Sequence, residues 1–325
     1  MQRDGRLRPH AAAAENLALS LLRGEECHPA QARIDKWYTG VNPFSSRSEI
    51  SAVRNYIEVL KPLPTLLLAF IGVATGFVAG DGTLSPKLAL VFVAILLAAA
   101  GANGLTNYLD RGIDARMART KNRALPAKRI YPPWKVLPLI ISLIVVGLAL
   151  AWFLHPFAFL ADVVGTLAAA TWRKKVTCVY PQGVLASCAP VLMGWFAIRP
   201  SVSWALLWLC LLIAAWLPLH VWSVIISHRD DYLNAGLDYF PISCEVRKAV
   251  RFLLAFSVAL LAVAVALYFA GGFGWLYLVT ATIMGIIMVY AAGRLAASGA
   301  ARDSWRLYRL SAFPYLGIIF LAMCL

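Results

Sequence analysis

Two short polar segments, each carrying a pair of aspartates, interrupt an otherwise apolar chain of 325 residues. The first runs from Asn103 to Asp114, and the second covers residues 228–232. A carboxylate costs roughly 2.5–3.5 kcal/mol at the centre of a membrane helix and less near its ends. Carboxylates at such positions, close to many arginines and lysines, indicate a site that holds a metal ion and a polyanion.

The first segment forms one polar stripe if it is helical, because Asn103, Asn107, Asp110 and Asp114 are spaced i, i+4, i+7 and i+11. Two carboxylates one turn apart suit Mg²⁺, a hard cation that takes oxygen ligands and usually keeps waters and substrate phosphates. Basic residues near the stripe would offer charge to a diphosphate: Arg111, Arg116, Arg119, Lys121 and Arg123. Alternatively, the aspartates only balance these cations in a solvated loop, which leaves the two asparagines unexplained.

The second segment predicts a similar stripe, because His220, Ser227 and Asp231 are spaced i, i+7 and i+11, with Ser223 and Asp230 flanking the same face. The two segments lie at equivalent ends of two hydrophobic spans, so we expect them to face each other across a cavity. Two acidic clusters with basic connections describe a site for a metal-bridged diphosphate whose hydrocarbon tail lies among the helices. An apolar chamber would shield an allylic carbocation from water, while Mg²⁺ and cations stabilise the departing pyrophosphate.

The composition predicts the fold class. The chain is 61% hydrophobic and only 14% charged, with a mean hydropathy of +0.71. These values indicate an all-α polytopic membrane protein, since about 20 apolar residues cross a bilayer as a helix. About nine transmembrane helices are expected around a central cavity, with spans near residues 62–80, 87–108, 136–154, 156–172, 183–198, 203–226, 249–270, 273–293 and 310–325.

Basic residues alternate between the connections, which predicts orientation under the positive-inside rule. They are dense after spans two, four, six and eight and sparse elsewhere. This pattern places the N-terminus, both aspartate segments and the mouth of the cavity on the cytoplasmic side. The net charge of +14 therefore reflects topology and anionic lipid rather than nucleic acid. Residues 1–50 form a predicted polar cytosolic tail, and residues 51–325 form the transmembrane domain.

The motifs in these segments resemble those of a known superfamily. The first one resembles the Asn-x-x-x-Asp-x-x-x-Asp motif of the UbiA-type intramembrane prenyltransferases. Its continuation, Asp110-Arg-Gly-Ile-Asp114-Ala-Arg-Met-Ala-Arg-Thr-Lys-Asn-Arg123-Ala-Leu-Pro, is similar to that of the haem O synthases (protohaem IX farnesyltransferases). Lys174-Lys175-Val-Thr resembles the Lys-Arg-x-Thr loop of that branch. His220-Val-Trp222, followed by Asp230-Asp231-Tyr232-Leu-Asn-Ala-Gly, resembles its more specific second motif.

The resemblance implies transfer of a farnesyl group from farnesyl diphosphate to a vinyl group of haem B, which gives haem O and diphosphate. It implies Mg²⁺ at Asp110, Asp114, Asp230 and Asp231, assisted by Asn103 and Asn107. The diphosphate would contact Arg111, Arg119, Arg123, Lys174 and Lys175, and the acceptor pocket would contain His220, Trp222 and Tyr232. It also implies a plasma-membrane location, with haem A synthase or terminal-oxidase assembly proteins as candidate partners.

Three departures from the pattern of that branch bear on the site. Thr106 occupies the position of the motif's asparagine, Gly112 replaces an aspartate and so removes an anionic group from the metal site, and Ala124 replaces a proline. The alternatives are a related prenyltransferase with another acceptor (a quinone head group, chlorophyllide or a glyceryl phosphate), an inactive relative, and a transporter. His220 has its own alternative, a structural hydrogen bond to Ser223.

Overall fold

The structure is a computed structural model that describes residues 44–171 and 179–325, with side chains from residue 51 onward. The chain divides into two compact units, residues 1–51 and 52–325. Lys174, Lys175 and nearly all of the predicted cytosolic tail lie outside the described residues. The predictions made for them remain predictions.

The described part of the chain is helical and contains no β-strand. A 3₁₀ turn at Pro133–Val136 leads into the fourth helix, and π-helical turns at Val179–Gly183 and Ser311–Tyr315 precede the sixth and the twelfth. In chain order the helices are α1 (Phe44–Val59), α2 (Pro62–Ala79), α3 (Pro86–Asp114), α4 (Leu137–Leu154), α5 (Pro156–Thr171), α6 (Val184–Ile198), α7 (Trp204–Ser227), α8 (Arg229–Asn234), α9 (Val246–Gly271), α10 (Trp275–Ser298), α11 (Ala301–Leu310) and α12 (Leu316–Ala322).

Seven helical segments in the described residues are long and apolar enough to cross a membrane, and α5 is a shorter apolar helix. The predicted span at 310–325 is interrupted, because the backbone is non-helical at Ala312. The all-α polytopic class is thus confirmed. The count of nine spans and the side on which the cavity opens remain predictions.

Glycines set the close approach of α3 and α4. A Cβ atom at Gly147 of α4 would lie 2.7 Å from the backbone nitrogen of Ala98 in α3. One at Gly101 of α3 would lie 3.0 Å from the backbone oxygen of Ile140. Small residues let membrane helices pack backbone against backbone. The helix that carries the first polar stripe is therefore held firmly by its neighbour.

The two polar stripes differ in the structure. α3 begins at Pro86 after the N-cap Ser85 and continues to Asp114, so the first stripe lies on one helix as predicted. In contrast, α7 ends at Ser227, and the backbone leaves helical geometry at His228 (φ −124°, ψ 32°). The prediction that a single stripe runs from His220 to Asp231 is wrong, because Asp231 belongs to the separate helix α8.

Candidate functional site

A cavity of about 530 Å³ lies between the helices of the second unit, in the size range of small-molecule sites. Most of its wall is apolar, with side chains such as Leu67, Ile71, Ile213 and Leu316. Eight of the residues predicted from sequence line it: Asn103, Asn107, Asp110, Asp114, Arg119, Arg123, His220 and Tyr232. An apolar chamber with a few convergent polar groups is the usual form of a ligand site.

The stripe on α3 brings four oxygen-bearing side chains to this cavity. Asp110 and Asp114 are only 3% and 1% exposed. The amide nitrogen of Asn103 donates to Thr65 Oγ1 at 3.1 Å, and that of Asn107 donates to the Val59 carbonyl at 2.7 Å. Both nitrogens are thus bound where α1 ends and α2 begins. Each planar amide is therefore fixed, and its carbonyl oxygen is the atom available as a ligand.

The loop after α3 carries the cationic side chains of the site. Arg123 donates to Asp114 Oδ2 at 3.2 Å, and Thr120 Oγ1 donates to the Asp114 carbonyl at 3.0 Å. The buried Met117 packs against Ile225 and Tyr232. The loop is thus tied back onto the helix end, and Arg119 and Arg123 remain at the cavity wall.

The second acidic segment meets this loop. Asp231 Oδ1 accepts the backbone N–H of Ala118 at 2.5 Å, and Oδ2 accepts that of Arg119 at 3.1 Å. Asp230 is exposed, and neither aspartate belongs to the cavity lining. The two segments therefore contact each other directly, through Asp231 and the loop backbone, rather than facing each other across the cavity as predicted.

The donor set at the cavity fits a hard cation, although it is smaller than predicted. Across residues 44–171 and 179–325, no three histidine, cysteine, aspartate or glutamate side chains converge to hold a metal ion. Mg²⁺ usually takes one or two protein carboxylates and fills its shell with waters and substrate phosphates. Asp110 and Asp114, with the carbonyl oxygens of Asn103 and Asn107, satisfy that requirement at the cavity wall.

Arg119 is the cation best prepared for an anionic ligand. Its Nε is buried and has no hydrogen-bond partner among the described residues. Its guanidinium adjoins Tyr232. Burial raises the pKa of Tyr232, and the charge and hydrogen bond of Arg119 offset part of that rise. The phenol therefore stays neutral near pH 7, and the half-buried guanidinium beside it suits an oxyanion.

His220 occupies another part of the cavity wall, between two aromatic rings. Its ring stacks on Trp216 at 4.8 Å and 18°, and lies 4.8 Å from the ring of Tyr308. Its Nδ1 is 3.2 Å from Ser311 Oγ. The hydrogen bond between His220 and Ser223 considered from sequence involves the backbone of His220: the Ser223 hydroxyl donates to the carbonyls of Leu219 and His220, and the imidazole contacts Ser311 instead.

Besides Asp230 and Asp231, two more predicted site residues do not line the cavity, Trp222 and Arg111. The ring of Trp222 packs edge-on against Phe240 at 4.6 Å and Phe256 at 5.7 Å. Arg111 lies over the ring of Tyr108, 4.2 Å from its centroid, and donates to the Tyr108 carbonyl. Both side chains are engaged away from the cavity, so the roles of Trp222 at the acceptor and of Arg111 at the diphosphate remain predictions.

The departures at Gly112 and Ala124 have structural explanations. Gly112 is exposed, and a Cβ atom there would meet nothing within 4 Å. It lies on the opposite face of α3 from Asp110 and Asp114, so an aspartate at this position would point away from these two carboxylates. The backbone N–H of Ala124 donates to Glu58 Oε1 at 3.0 Å, a hydrogen bond that proline cannot make.

The sequence reasoning missed several cavity residues: Lys61, Thr166, Ser187, Tyr308 and Asp162. Asp162 carries a signal that was available. It is the only charged residue in the apolar helix α5, and ionisable groups within membrane helices usually face a cavity or a partner.

Comparisons with known proteins agree on one family. The profile of the UbiA prenyltransferase family matches residues 65–317. Protoheme IX farnesyltransferase of Desulforudis audaxviator (strain MP104C) is 35% identical over 278 residues, covering 82% of this chain and 86% of that relative. The enzyme of the same name from Gloeobacter violaceus (strain ATCC 29082 / PCC 7421) is 32% identical, covering 84% of this chain and 92% of its own.

Solved structures share the fold. A digeranylgeranylglyceryl phosphate synthase superposes with a TM-score of 0.67 at 18% identity, over 84% of this chain and 97% of its own. A UbiA homologue from Archaeoglobus fulgidus bound to GPP and Mg²⁺ gives a TM-score of 0.56 at 14% identity, over 83% of this chain and 100% of its own. At these identities the similarity concerns the fold.

Proposed function

Because the chain belongs to the UbiA prenyltransferase family, we propose that it transfers a farnesyl group from farnesyl diphosphate to a vinyl group of haem B, giving haem O and diphosphate. The relatives that share about a third of its residues carry the name of that activity. The single observation that supports the proposal is one apolar cavity with Asp110, Asp114, Arg119 and Arg123 on its wall and His220 on another part of it.

Asp110 and Asp114 would hold Mg²⁺, and Asn103 and Asn107 would add carbonyl oxygens. When bound, the cation supplies positive charge to the departing diphosphate. Arg119 and Arg123 would donate charge-assisted hydrogen bonds to the same oxygens. Together these residues stabilise the pyrophosphate as the bond from its oxygen to C1 of the prenyl chain breaks.

The apolar part of the cavity would protect the allylic cation from water until the acceptor reacts. The terminal carbon of the haem vinyl group bonds to C1, which leaves positive charge on the vinyl carbon next to the ring. Water then adds to that carbon and releases a proton, giving the hydroxyethylfarnesyl side chain. His220, held by Trp216, Tyr308 and Ser311, would contact the haem.

The protein is an integral membrane protein with several apolar spans in its described residues. Its basic connections favour an orientation with the aspartate segments on the cytoplasmic side of the plasma membrane. There farnesyl diphosphate, a water-soluble anion with an apolar tail, would enter from the side on which it is made. Haem A synthase and terminal-oxidase assembly proteins remain candidate partners.

The experiment uses membranes from a host that lacks haem O synthesis and expresses the full chain. Farnesyl diphosphate, haem B and Mg²⁺ are added, and the extracted haems are identified by mass. We expect haem O from the wild type and at least a hundredfold lower rate from Asp110→Ala, since one lost transition-state contact costs about 2.7–4 kcal/mol. Asp238→Ala, at an exposed aspartate, is the matched control and should keep the wild-type rate.

Two outcomes would contradict the proposal. Normal haem O production by Asp110→Ala would remove the aspartates from the reaction. Transfer of the farnesyl group to a quinone head group or a glyceryl phosphate, with haem B unchanged, would assign another acceptor to the same site.

A further inference from the structure

Asp162 is a buried carboxyl group at the wall of the cavity. It is 7% exposed, and its Oδ2 has no hydrogen-bond partner among the described residues. Gly165, Thr166 and Ala169 follow it along the cavity face of α5. Ionisable side chains inside membrane proteins are rare and mark a function by default. The proposed reaction leaves this one unused.

The packing of the helices gives the depth of Asp162. Gly147 of α4 packs against Ala98 of α3. From there α4 continues to Leu154, and α5 returns from Pro156 by almost the same number of residues to reach Asp162. Asp162 therefore lies near the level of Ala98. Ala98 precedes Asp110 by twelve residues on α3, so the two carboxyl groups are separated by about 18 Å along the helix axis.

This separation matches the length of a particular prenyl chain. An extended chain gains roughly 5 Å per isoprene unit at ordinary carbon–carbon bond lengths, so a farnesyl group spans about 15 Å and a geranylgeranyl group about 20 Å. A farnesyl chain that begins a few ångströms inside Asp110 ends near Asp162. The fourth unit of a geranylgeranyl chain would have to pass the carboxyl group.

We propose that Asp162 ends the prenyl channel and selects farnesyl diphosphate over geranylgeranyl diphosphate. The inference rests on the proposed function, because it requires the diphosphate to bind at Asp110 and Asp114. Hydrocarbon that passes Asp162 would strip any water from Oδ2, which has no hydrogen-bond partner in the described part of the chain, and this is unfavourable for a polar group. A chain that stops before it leaves the carboxyl group hydrated.

Binding of unreactive thiolodiphosphate analogues tests this selection without haem. The purified full chain in nanodiscs, with Mg²⁺, is titrated with the farnesyl and the geranylgeranyl analogue. We expect the wild type to bind the farnesyl analogue at least about tenfold more tightly, a difference of 1.4 kcal/mol. Asp162→Leu, which replaces the carboxyl group by hydrocarbon, should reduce the preference to about twofold or less.

Two matched variants separate the carboxyl group from general effects of mutation. Asp162→Asn keeps the size and the polarity and should keep the preference. Thr166→Val changes a neighbouring side chain on the same cavity face and should keep the preference as well. Retained binding of the farnesyl analogue shows that Asp162→Leu is folded. If this variant binds neither analogue, Asp162→Ala takes its place and should show the same reduced preference.

Three results overturn the proposal: equal binding of both analogues by the wild type, an unchanged preference in Asp162→Leu, or a loss of haem B affinity with the preference intact. The last result would place Asp162 at the acceptor. Failure of the proposed function would look different. A protein that prefers the farnesyl analogue but never alters haem B would contradict haem B as the acceptor and leave the selection by Asp162 intact.

Discussion

The carboxylate of Asp231 accepts the backbone N–H groups of Ala118 and Arg119, at 2.5 and 3.1 Å. The side chain of the same Arg119 lines the cavity, where its Nε is buried without a hydrogen-bond partner among the described residues. The second acidic segment thus fixes the backbone that carries a cation of the cavity wall. In this arrangement Asp231 is a positioning residue, whereas Asp110 and Asp114 are at the cavity itself.

Asp231→Asn should loosen the loop, because an amide NH₂ replaces one of the oxygens that accept these backbone N–H groups. Hydrogen bonds to a charged group contribute about 1.5–3 kcal/mol, so we expect the KM for farnesyl diphosphate to rise roughly tenfold or more, with a smaller change in kcat. Hydrogen exchange of residues 115–123, followed by mass spectrometry, should become faster.

The Mg²⁺ dependence of the same variant separates positioning from ligation. A positioning role predicts that Asp231→Asn needs the same Mg²⁺ concentration as the wild type, while Asp110→Asn needs more. A higher Mg²⁺ requirement in Asp231→Asn, with unchanged exchange of the loop, would show instead that Asp231 binds the metal directly.

Tyr232 gives a prediction on pH. Burial raises its pKa above the ordinary value of 10.0, with Arg119 opposing part of the shift. Its hydroxyl is therefore protonated at neutral pH and acts as a hydrogen-bonding group, not as a base. Tyr232→Phe should raise the KM for farnesyl diphosphate by about two- to tenfold, the value of one hydrogen bond, and its pH–rate profile should parallel that of the wild type from about pH 7 to 9.

The sign of the stability effect follows from the raised pKa. The protonated phenol contributes fully below the pKa of the unfolded chain, and this contribution is lost as the pH rises through the native value. The thermal unfolding temperature of the wild type should therefore fall toward that of Tyr232→Phe only above about pH 10. Convergence of the two at neutral pH would contradict the shift.

Gly112→Asp introduces the aspartate found at this position in the haem O synthase motif, and it tests the geometry of α3. The position is exposed and opens onto free space, so the new carboxylate would lie away from Asp110 and Asp114. Surface substitutions of this kind usually change the free energy of unfolding by less than about 0.5 kcal/mol. We expect haem O formation within about twofold of the wild type.

Thr106→Asp is the contrasting variant, because Thr106 lines the cavity and its hydroxyl donates to the Ala102 carbonyl on the same helix. A carboxylate there adds negative charge beside the proposed diphosphate site and should lower the rate. If Gly112→Asp instead changed the Mg²⁺ requirement, residue 112 would have to face the metal, and the helix face assigned to it would be wrong.

The fold and the first stripe were predictable because each depends on local physics. Spans appear as apolar stretches long enough for a bilayer, and a stripe on a continuous helix follows from its spacing. The second stripe failed where that continuity failed. At His228 the backbone leaves the helix, and the imidazole contacts Ser227 and the Val224 carbonyl. The prediction continued the helical spacing across this break and therefore placed Asp231 wrongly in the cavity.

The remaining site features depend on contacts distant in sequence. Asp231 bonds to amides more than a hundred residues away, and Trp222 is held by rings of Phe240 and Phe256 rather than by the acceptor pocket. No local pattern encodes either contact. Asp162 was different, since a single carboxyl group in an apolar span was visible in the sequence. It was missed because it does not belong to a stripe of polar residues at helical spacing.

His220 separates the two substrates in the last prediction. Its ring is fixed by Trp216 and Tyr308 on its faces and by Ser311 at Nδ1, so Nε2 is the nitrogen left for a ligand. Removing it in His220→Ala should weaken haem B binding by about tenfold or more, followed by the Soret absorption, since a polar contact of this kind is worth about 1–3 kcal/mol. Binding of the farnesyl analogue should change by less than about twofold, because the proposed diphosphate site, at the aspartates and Arg119, lies on another part of the cavity wall. Ser311→Ala, which frees the ring but keeps the imidazole, should lose only part of the haem affinity. An equal loss of both ligands in His220→Ala would mean that the ring supports the bundle and contacts neither substrate.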